Sequence, residues 1–372
     1  MTIIFIKKLK KNKKKILFFC PQISDGGIEK TLINYLNHFS INNEIYLVTN
    51  TFNTKQLKLI SKRVKIINFK INFLIKLRIL NNLICSFLLI KFVNKETIIF
   101  SVQEHFFLLL FKFFGLKSKL VIRTPTAISN TKNIYEAQFL DKKHFFKKFI
   151  IRFYKYSNMV ITFSEDNKNY LKHKLNVKNV EVIYNFFPKH YGNKKIKKIY
   201  NIFFIGRLVD DKDPIFFLKN LIYLKDFTKF KIHIIGKGNC LEDMKKISKN
   251  FSKHIKFYGY LKNPLVKMHK GIDLICITSK YDGTPNVLGE ALSYKIPCLA
   301  PTRVGLSNYL LKNGKFGYLY KPGNDKSFQK QINNILNNYN QAIKKAKKGF
   351  KSLDRFNKKN TLIKLERLIH NM

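Results

Sequence analysis

The sequence predicts an α/β chain of two doubly wound domains, and three observations predict it. Short runs rich in Ile, Val, Phe and Leu alternate with amphipathic stretches, the rhythm of parallel strands joined by helices. In each half the first such run ends in a glycine-bearing turn, Asp25-Gly26-Gly27 in one and Gly206-Arg207-Leu208 in the other. That is where an open parallel sheet keeps its ligands. Between the halves the rhythm breaks at the polar run Gly192-Asn193-Lys194-Lys195-Ile196-Lys197-Lys198, which reads as a linker. At 372 residues the chain holds two such domains more readily than one.

Residues 1–15 form an extension that starts apolar and turns basic, an order opposite to that of a secretory leader. Strand Ile16–Cys20 leads through the glycine turn into a helix over about Ile28–His38. Further strands are expected at Glu44–Thr49, Val64–Ile67, Thr97–Ser101, Lys119–Arg123, Met159–Phe163 and Val180–Tyr184. The second half repeats the pattern at Ile199–Ile205, Phe230–Gly238, Ile255–Tyr260, Ile272–Ile277, Ile296–Ala300 and Gly317–Gly323. No run reaches the ~18 uninterrupted apolar residues of a spanning helix.

Strand Ile272–Ile277 runs into Thr278-Ser279-Lys280-Tyr281-Asp282-Gly283-Thr284-Pro285-Asn286-Val287-Leu288-Gly289-Glu290-Ala291-Leu292. Here Thr284 is expected as the N-cap of a helix, with Pro285 in its first turn, where a missing N–H costs nothing. The unpaired amides of that turn, with the helix dipole behind them, attract phosphate. Asp282 ahead of the helix and Glu290 within it can hold sugar hydroxyls, which together make a nucleotide-sugar site.

This stretch resembles the signature of glycosyltransferase family 4, two acids seven residues apart in a pattern close to Glu-Gly-x-Pro-Asn-Val-x-x-Glu-Ala. The family's enzymes are retaining and have the GT-B fold, two Rossmann-like doubly wound domains facing across a cleft. The resemblance covers roughly residues 16 to 350, and this sequence departs from it at the first acid. Asp282 stands for Glu, which draws the carboxylate back by about 1.5 Å, one C–C bond. Gly206-Arg207-Leu208 followed by Lys212 resembles the family's diphosphate grip. The resemblance implies an acceptor-binding domain over 16–190, a donor-binding domain over 197–349, and a terminal helix at about 350–372 returning to the first.

It also implies roles. Asp282 meets the donor sugar and Glu290 the ribose, with Gly283, Thr284, Pro285, Asn286 and Val287 lining the same pocket. Arg207 and Lys212 hold the diphosphate, and Gly26 and Gly27 lie beneath the donor phosphate. Gly236, Gly238 and Tyr260 line the base. His105, after strand Thr97–Ser101, is a candidate for contact with donor sugar or acceptor, against the ordinary reading of a surface loop histidine. Arg123, at the end of the next strand, is a candidate for an acceptor phosphate, against that of a surface ion pair. The donor implied is a nucleoside-diphosphate sugar, UDP-sugar favoured, and the acceptor a glycan or a polyprenyl- or lipid-linked sugar of cell-surface polysaccharide. No cofactor is expected. Asp211-Lys212-Asp213 has a metal-binding spacing, but the middle lysine would set its charge against the ion, so no metal is expected either.

The net charge is extreme, +49 from 71 basic and 22 acidic residues. It suits an anionic partner: a diphosphate, an acidic membrane leaflet or nucleic acid. The bland account is base composition, since Asn, Ile and Phe share A/T-rich codons with Lys. No zinc-finger spacing or RNP-like aromatic motif is present, and nucleic acid is not expected. Three segments, 71–93, 105–116 and 143–156, mix Phe and Leu with Lys or Arg, as in helices that dock on a membrane surface. Five cysteines without a C-x-x-C pair suit reduced thiols. Together these predict a cytoplasmic enzyme peripheral to the inner face of the membrane. The alternatives are a sugar-nucleotide epimerase or phosphorylase on the same fold, though no pyridoxal-binding lysine segment is recognisable, or a basic nucleic-acid-binding protein.

Overall fold

The structure, a computed structural model, describes residues 13–24, 27–124, 149–190, 200–225 and 227–372. The basic extension up to residue 12, Gly26, the linker run at 192–198 and the aromatic-rich segment before residue 149 lie outside the described residues. The chain forms two compact units. Of the described residues, one holds 13–124, 149–183 and Leu362–Met372, and the other holds Tyr184–Thr361.

The first unit is a seven-stranded parallel sheet in the order β3-β2-β1-β4-β5-β6-β7. Its strands are β1 (Lys15–Phe19), β2 (Glu44–Thr49), β3 (Lys65–Asn68), β4 (Ile98–Ser101), β5 (Lys119–Arg123), β6 (Met159–Thr162) and β7 (Val180–Val182). In register, Leu17 faces Tyr46 on one side and Ile99 on the other. Helices cover both faces of such a sheet, so its central strands are apolar throughout. Ile16, Leu17, Phe18 and Phe19 are all fully buried, and Phe18 stacks on Phe100 with centroids 4.9 Å apart.

The last turns of the chain belong to this unit. Lys14 Nζ donates to the carbonyl of His370 at 2.7 Å, and Lys364 Nζ to that of Val182 at 3.1 Å. The half-buried His38 pairs with Glu366 at 3.1 Å. Lys14 thus satisfies carbonyls that the helix Lys358–His370 leaves open at its end.

The second unit is a six-stranded parallel sheet in the order β10-β9-β8-β11-β12-β13. Its strands are β8 (Asn201–Ile205), β9 (Lys231–Ile235), β10 (Ile255–Phe257), β11 (Leu274–Cys276), β12 (Cys298–Pro301) and β13 (Tyr318–Tyr320). These are shorter than the apolar runs that announce them, because pairing stops before the extended chain does. Ile277 still donates to Leu299 O at 2.8 Å beyond the end of β11. Phe217, Leu218 and Leu221 of the helix Pro214–Ile222 and Phe328, Ile332 and Ile335 of the helix Asp325–Asn337 fill the core.

Both orders reverse direction once. From β8 the chain moves outward to β9, and from β11 it moves the opposite way to β12; β1 and β4 do the same in the first sheet. A crevice opens at the carboxyl ends of such a strand pair. All five cysteines are buried free thiols, and burial pushes Cys20 up to about 12.

Two histidines, one in each unit, are held neutral chiefly by burial. His105 and His233 are both pulled down to about 4, with Lys256 and Lys231 adding to the effect at His233. His233 bonds Tyr258 and Asn201 at 2.8 Å each and stacks on Phe203. An unfolded histidine takes up its proton near pH ~6.5, so between there and pH ~4 only the unfolded chain carries it, and stability rises with pH. Urea midpoints are expected to be level above pH ~6.5 and to fall as pH drops toward ~4. His233→Gln should flatten that fall; an unchanged slope would show that this imidazole does not titrate on unfolding.

Candidate functional site

The turn after β8 and the turn after β11 meet at the reversal point of the second sheet. Lys212 Nζ lies 2.5 Å from Asp282 Oδ2, with both side chains largely buried. Backbone contacts hold the two turns together. Thr278 Oγ1 donates to the carbonyls of Lys212 and Asp213 at 3.0 and 2.9 Å, and Lys280 N donates to Asp211 O at 2.9 Å. Lys280 Nζ reaches Asp210 at 3.1 Å and Asp213 at 3.7 Å. Asp213 is left-handed at φ 47°, and its carboxylate accepts from Phe216 N at the start of the helix Pro214–Ile222. Burial raises its pKa, and Lys280 partly offsets that.

The helix after β11 begins one residue later than the sequence predicts. It spans Asn286–Ser293 with Pro285 at the cap position, so Thr284 is not its N-cap and Pro285 is outside its first turn. The carbonyl of Pro285 already accepts from Leu288 N at 2.9 Å, a cap's role that needs no side-chain donor or acceptor. Gly283 is buried, and its carbonyl accepts from Leu306 N at 3.1 Å. Asn286 accepts from Asn185 Nδ2 at 2.8 Å, and Thr284, Val287 and Glu290 are half-buried. Gly289 is explained by packing. A Cβ there would lie 2.4 Å from the Phe187 ring, so an aromatic side chain occupies the space a larger residue would need.

Glycines also bring the loops together. A Cβ on Gly236 would meet Gly206 O at 1.8 Å, and one on Gly238 would meet Leu208 O at 2.2 Å. The neighbour these glycines admit is the β8 turn itself, pinned by Gly206 N→Ile235 O and Leu208 N→Lys237 O, both 3.0 Å. Arg207, between those two bonds, is exposed. Tyr260 is half exposed beneath the Lys237 ammonium, 5.6 Å from the ring centre. Gly305, at φ +51°, brings its Cα against the carbonyls of Asp282 and Gly283. Direct contact thus joins Lys212 to Asp282, while Arg207 and Glu290 stand at the same end of the sheet, on the β8 turn and on the helix. Thr278, Lys280 and Phe187 escape sequence reasoning; the one signal was a polar Thr278-Ser279 pair directly after an apolar strand.

In the first unit, Gly27 opens the helix Gly27–Phe39 and is exposed. His105 and Arg123 are not surface residues: both are 5% exposed, at the carboxyl ends of β4 and β5. His105 Nε2 bonds the Tyr154 hydroxyl at 2.8 Å, while Nδ1 is buried with no hydrogen-bond partner among the described residues. The Arg123 guanidinium lies 6.0 Å from the centre of the Tyr35 ring. The His105 ring packs edge-on against Tyr154, centroids 5.1 Å apart, and Arg123 is the last residue of a strand whose sheet is covered on both faces.

Residues 187–352 match the family described as "Glycosyl transferases group 1". The chain is 24% identical over 249 residues to a Campylobacter jejuni alpha-1,4-N-acetyl-D-galactosaminyltransferase whose name specifies a diphosphoundecaprenol-linked substrate, covering 64% of this chain and 67% of that one. It is 25% identical over 242 residues to the amylovoran biosynthesis glycosyltransferase AmsD of Erwinia amylovora, covering 62% and 64%. The chain thus spans about two thirds of the length of these curated relatives. Other relatives are named for lipopolysaccharide and capsular polysaccharide synthesis. Among solved structures, Anabaena HepE in complex with UDP superposes with a TM-score of 0.75 at 16% identity, over 96% of this chain and 100% of that one. The fold is GT-B.

Gly236→Ala forces a methyl group into backbone that has no room to yield, and should cost about 3 kcal/mol of stability. Gly271→Ala, where a Cβ meets nothing within 4 Å, should stay within about 0.5 kcal/mol. Chemical denaturation of both checks this; equal losses would mean that the close approach of the β8 and β9 loops is not the constraint.

Proposed function

From the match of residues 187–352 to the glycosyl transferases group 1 family, and from the GT-B fold, we propose that this chain moves a sugar from a nucleoside-diphosphate sugar to a glycan or polyprenyl-linked acceptor, with retention and without a metal. The observation that carries this reading is the Lys212–Asp282 pair at the reversal point of the second sheet, set directly ahead of a helix N-terminus. A cation and an acid in contact are suited to adjoining parts of one donor, its diphosphate and its sugar. Arg207 adds a two-pronged cation from the same turn. Charge that grows on the departing diphosphate then meets Lys212, Arg207 and the helix amides, already oriented before the bond breaks. Glu290 takes the ribose hydroxyls, and the strand-end loops bearing Gly236, Gly238 and Tyr260 take the base. UDP is favoured, with support from the UDP complex of the Anabaena neighbour.

No side chain of the Lys212–Asp282 cluster is set up as a covalent nucleophile, which suits departure and attack on one face of the sugar. The Asp211-Lys212-Asp213 triplet supports metal independence, because Asp213 is turned into a helix cap and Lys212 into the ion pair. His105, neutral at working pH through burial, offers Nδ1 to a sugar hydroxyl of donor or acceptor. Arg123 serves an acceptor phosphate. The undecaprenol-linked substrate in the Campylobacter relative's name supports a lipid-linked acceptor here. The work would then be done at the inner face of the cytoplasmic membrane, in cell-surface polysaccharide synthesis.

UDP and UDP-sugars are expected to raise the melting temperature, and GDP to raise it less. Lys212→Ala and Arg207→Ala should each lower kcat by about 10²-fold or more, as removal of a charge-stabilising donor does. Glu290→Ala should act mainly on donor KM. Transfer should survive exhaustive chelation. Melting shifts that are equal in the wild type and all three variants would move the donor site elsewhere, and loss of transfer on chelation would overturn the metal-free mechanism.

A further inference from the structure

The helix Arg78–Ile90 of the first unit is turned inside out. Its buried positions are Asn81, Asn82, Cys85, Ser86 and Leu89. The polar ones find partners within the unit: Asn50 Nδ2 donates to Asn81 Oδ1 at 2.8 Å, and Ser86 Oγ to Asn82 Oδ1 at 3.3 Å. The side facing away carries Ile79, Leu83 and Phe87, one residue per turn and 70%, 36% and 61% exposed. Phe73 and Leu77, just before the helix, are exposed too. A surface helix ordinarily puts its apolar stripe inward and its polar residues out. One that hides asparagine and displays phenylalanine offers that stripe to something other than water.

The charge around the stripe names what meets it. Between Glu44 and Glu96 the sequence has ten Lys or Arg and no acidic residue. Lys76 and Lys91, at the two ends of the helix, are both exposed, while Arg78 is engaged by Glu104. A second copy docked through the same face would set this acid-free segment against itself. A bilayer with acidic headgroups satisfies both features at once, taking the apolar stripe below the headgroups and the lysines among them.

We infer that the face Ile79–Leu83–Phe87 is a membrane-docking surface that lies in the interface of an anionic leaflet, with Lys76 and Lys91 reaching its phosphates. This rests on the membrane-side reading given above and specifies the surface that serves it. Among the described residues no helix is long and apolar enough to cross a membrane, and docking in the plane of the interface requires none. The neighbouring helix Phe106–Phe113 also ends in exposed apolar residues, Phe113 and, at its cap, Phe114.

The test is co-sedimentation of the full chain with vesicles of phosphatidylcholine alone, or with about one quarter phosphatidylglycerol. The wild type should bind the anionic vesicles about tenfold more tightly than the neutral ones. Leu83→Ser with Phe87→Ser, and separately Lys76→Glu with Lys91→Glu, should each weaken that binding by about tenfold. The positions are exposed, so both variants should keep the wild-type melting temperature and the UDP response. Undiminished vesicle binding in both variants would overturn the assignment. So would absence of lipid binding together with a wild-type dimer that the serine variant dissociates, since the occupant would then be a second copy. A wild type that binds anionic vesicles through this face yet ignores UDP would support the assignment while overturning the donor reading.

Discussion

The contact between Lys212 and Asp282 joins residues 70 positions apart, and it exists because two turns are fixed against each other at the end of one sheet. Neither side chain could hold the pair alone. A lysine carries a large rotamer entropy, and an exposed ion pair contributes little after that loss. Here the backbone is already in place: Thr278 bonds two carbonyls of the β8 turn, and the Lys280 amide bonds a third. The β8 turn is in turn locked to the β9 loop by bonds that only glycine at 236 and 238 permits. The charges sit on a scaffold whose rigidity comes from uncharged atoms, as electrostatic preorganisation requires.

The same scaffold explains the sharing of roles among the acids. Asp210 and Asp213 face Lys280, and Asp282 faces Lys212. In a chain with 71 basic residues and 22 acids, placing four carboxylates within two turns, three of them paired with lysine, is a concentrated use of scarce charge. It leaves Arg207 exposed on a turn where no carboxylate is described against it, open to an incoming anion. A shorter acid at 282 suits this geometry. Asp282 meets the lysine directly from a turn that Gly305 and Gly283 pack tightly, where the Gly305 Cα leaves no room for a side chain.

Much of the fold was legible because parallel strands buried on both faces read as continuous apolar runs, and Glu44–Thr49 and Lys119–Arg123 matched to the residue. What failed was local. Thr284 looked like a cap from its chemistry, but the backbone turns into the helix at Pro285, whose carbonyl begins the ladder without help. The ordinary readings of His105 as a surface loop histidine and of Arg123 as a surface ion pair also failed, since position in sequence carries no record of what packs around a strand end in the fold. The glycines at 236 and 238 were legible as close approaches, but the partner was neighbouring backbone, and only coordinates show that. Motif resemblance assigned Lys212 and Asp282 to one donor, but their direct contact was not expected, since spacing alone does not reveal which loops a sheet order makes adjacent.

Sheet order also bears on the excess of positive charge. A drift in base composition places lysine wherever a codon allows, and it does so without regard to what the folded chain exposes. It would thin the acids everywhere and leave helices oriented by their apolar faces, because burial of Leu and Phe outweighs any single surface substitution. The helix Arg78–Ile90 breaks that expectation: it buries Asn81, Asn82 and Ser86, with hydrogen bonds made for Asn81 and Ser86 inside the unit, and turns Phe87 out. Buried asparagine carries a desolvation cost that only such specific partners offset. Base composition bears on the number of lysines alone, and it gives no reason for a helix that turns Phe87 out within the acid-free stretch between Glu44 and Glu96. A surface selected to meet acidic lipid accounts for the inversion and the missing acids together.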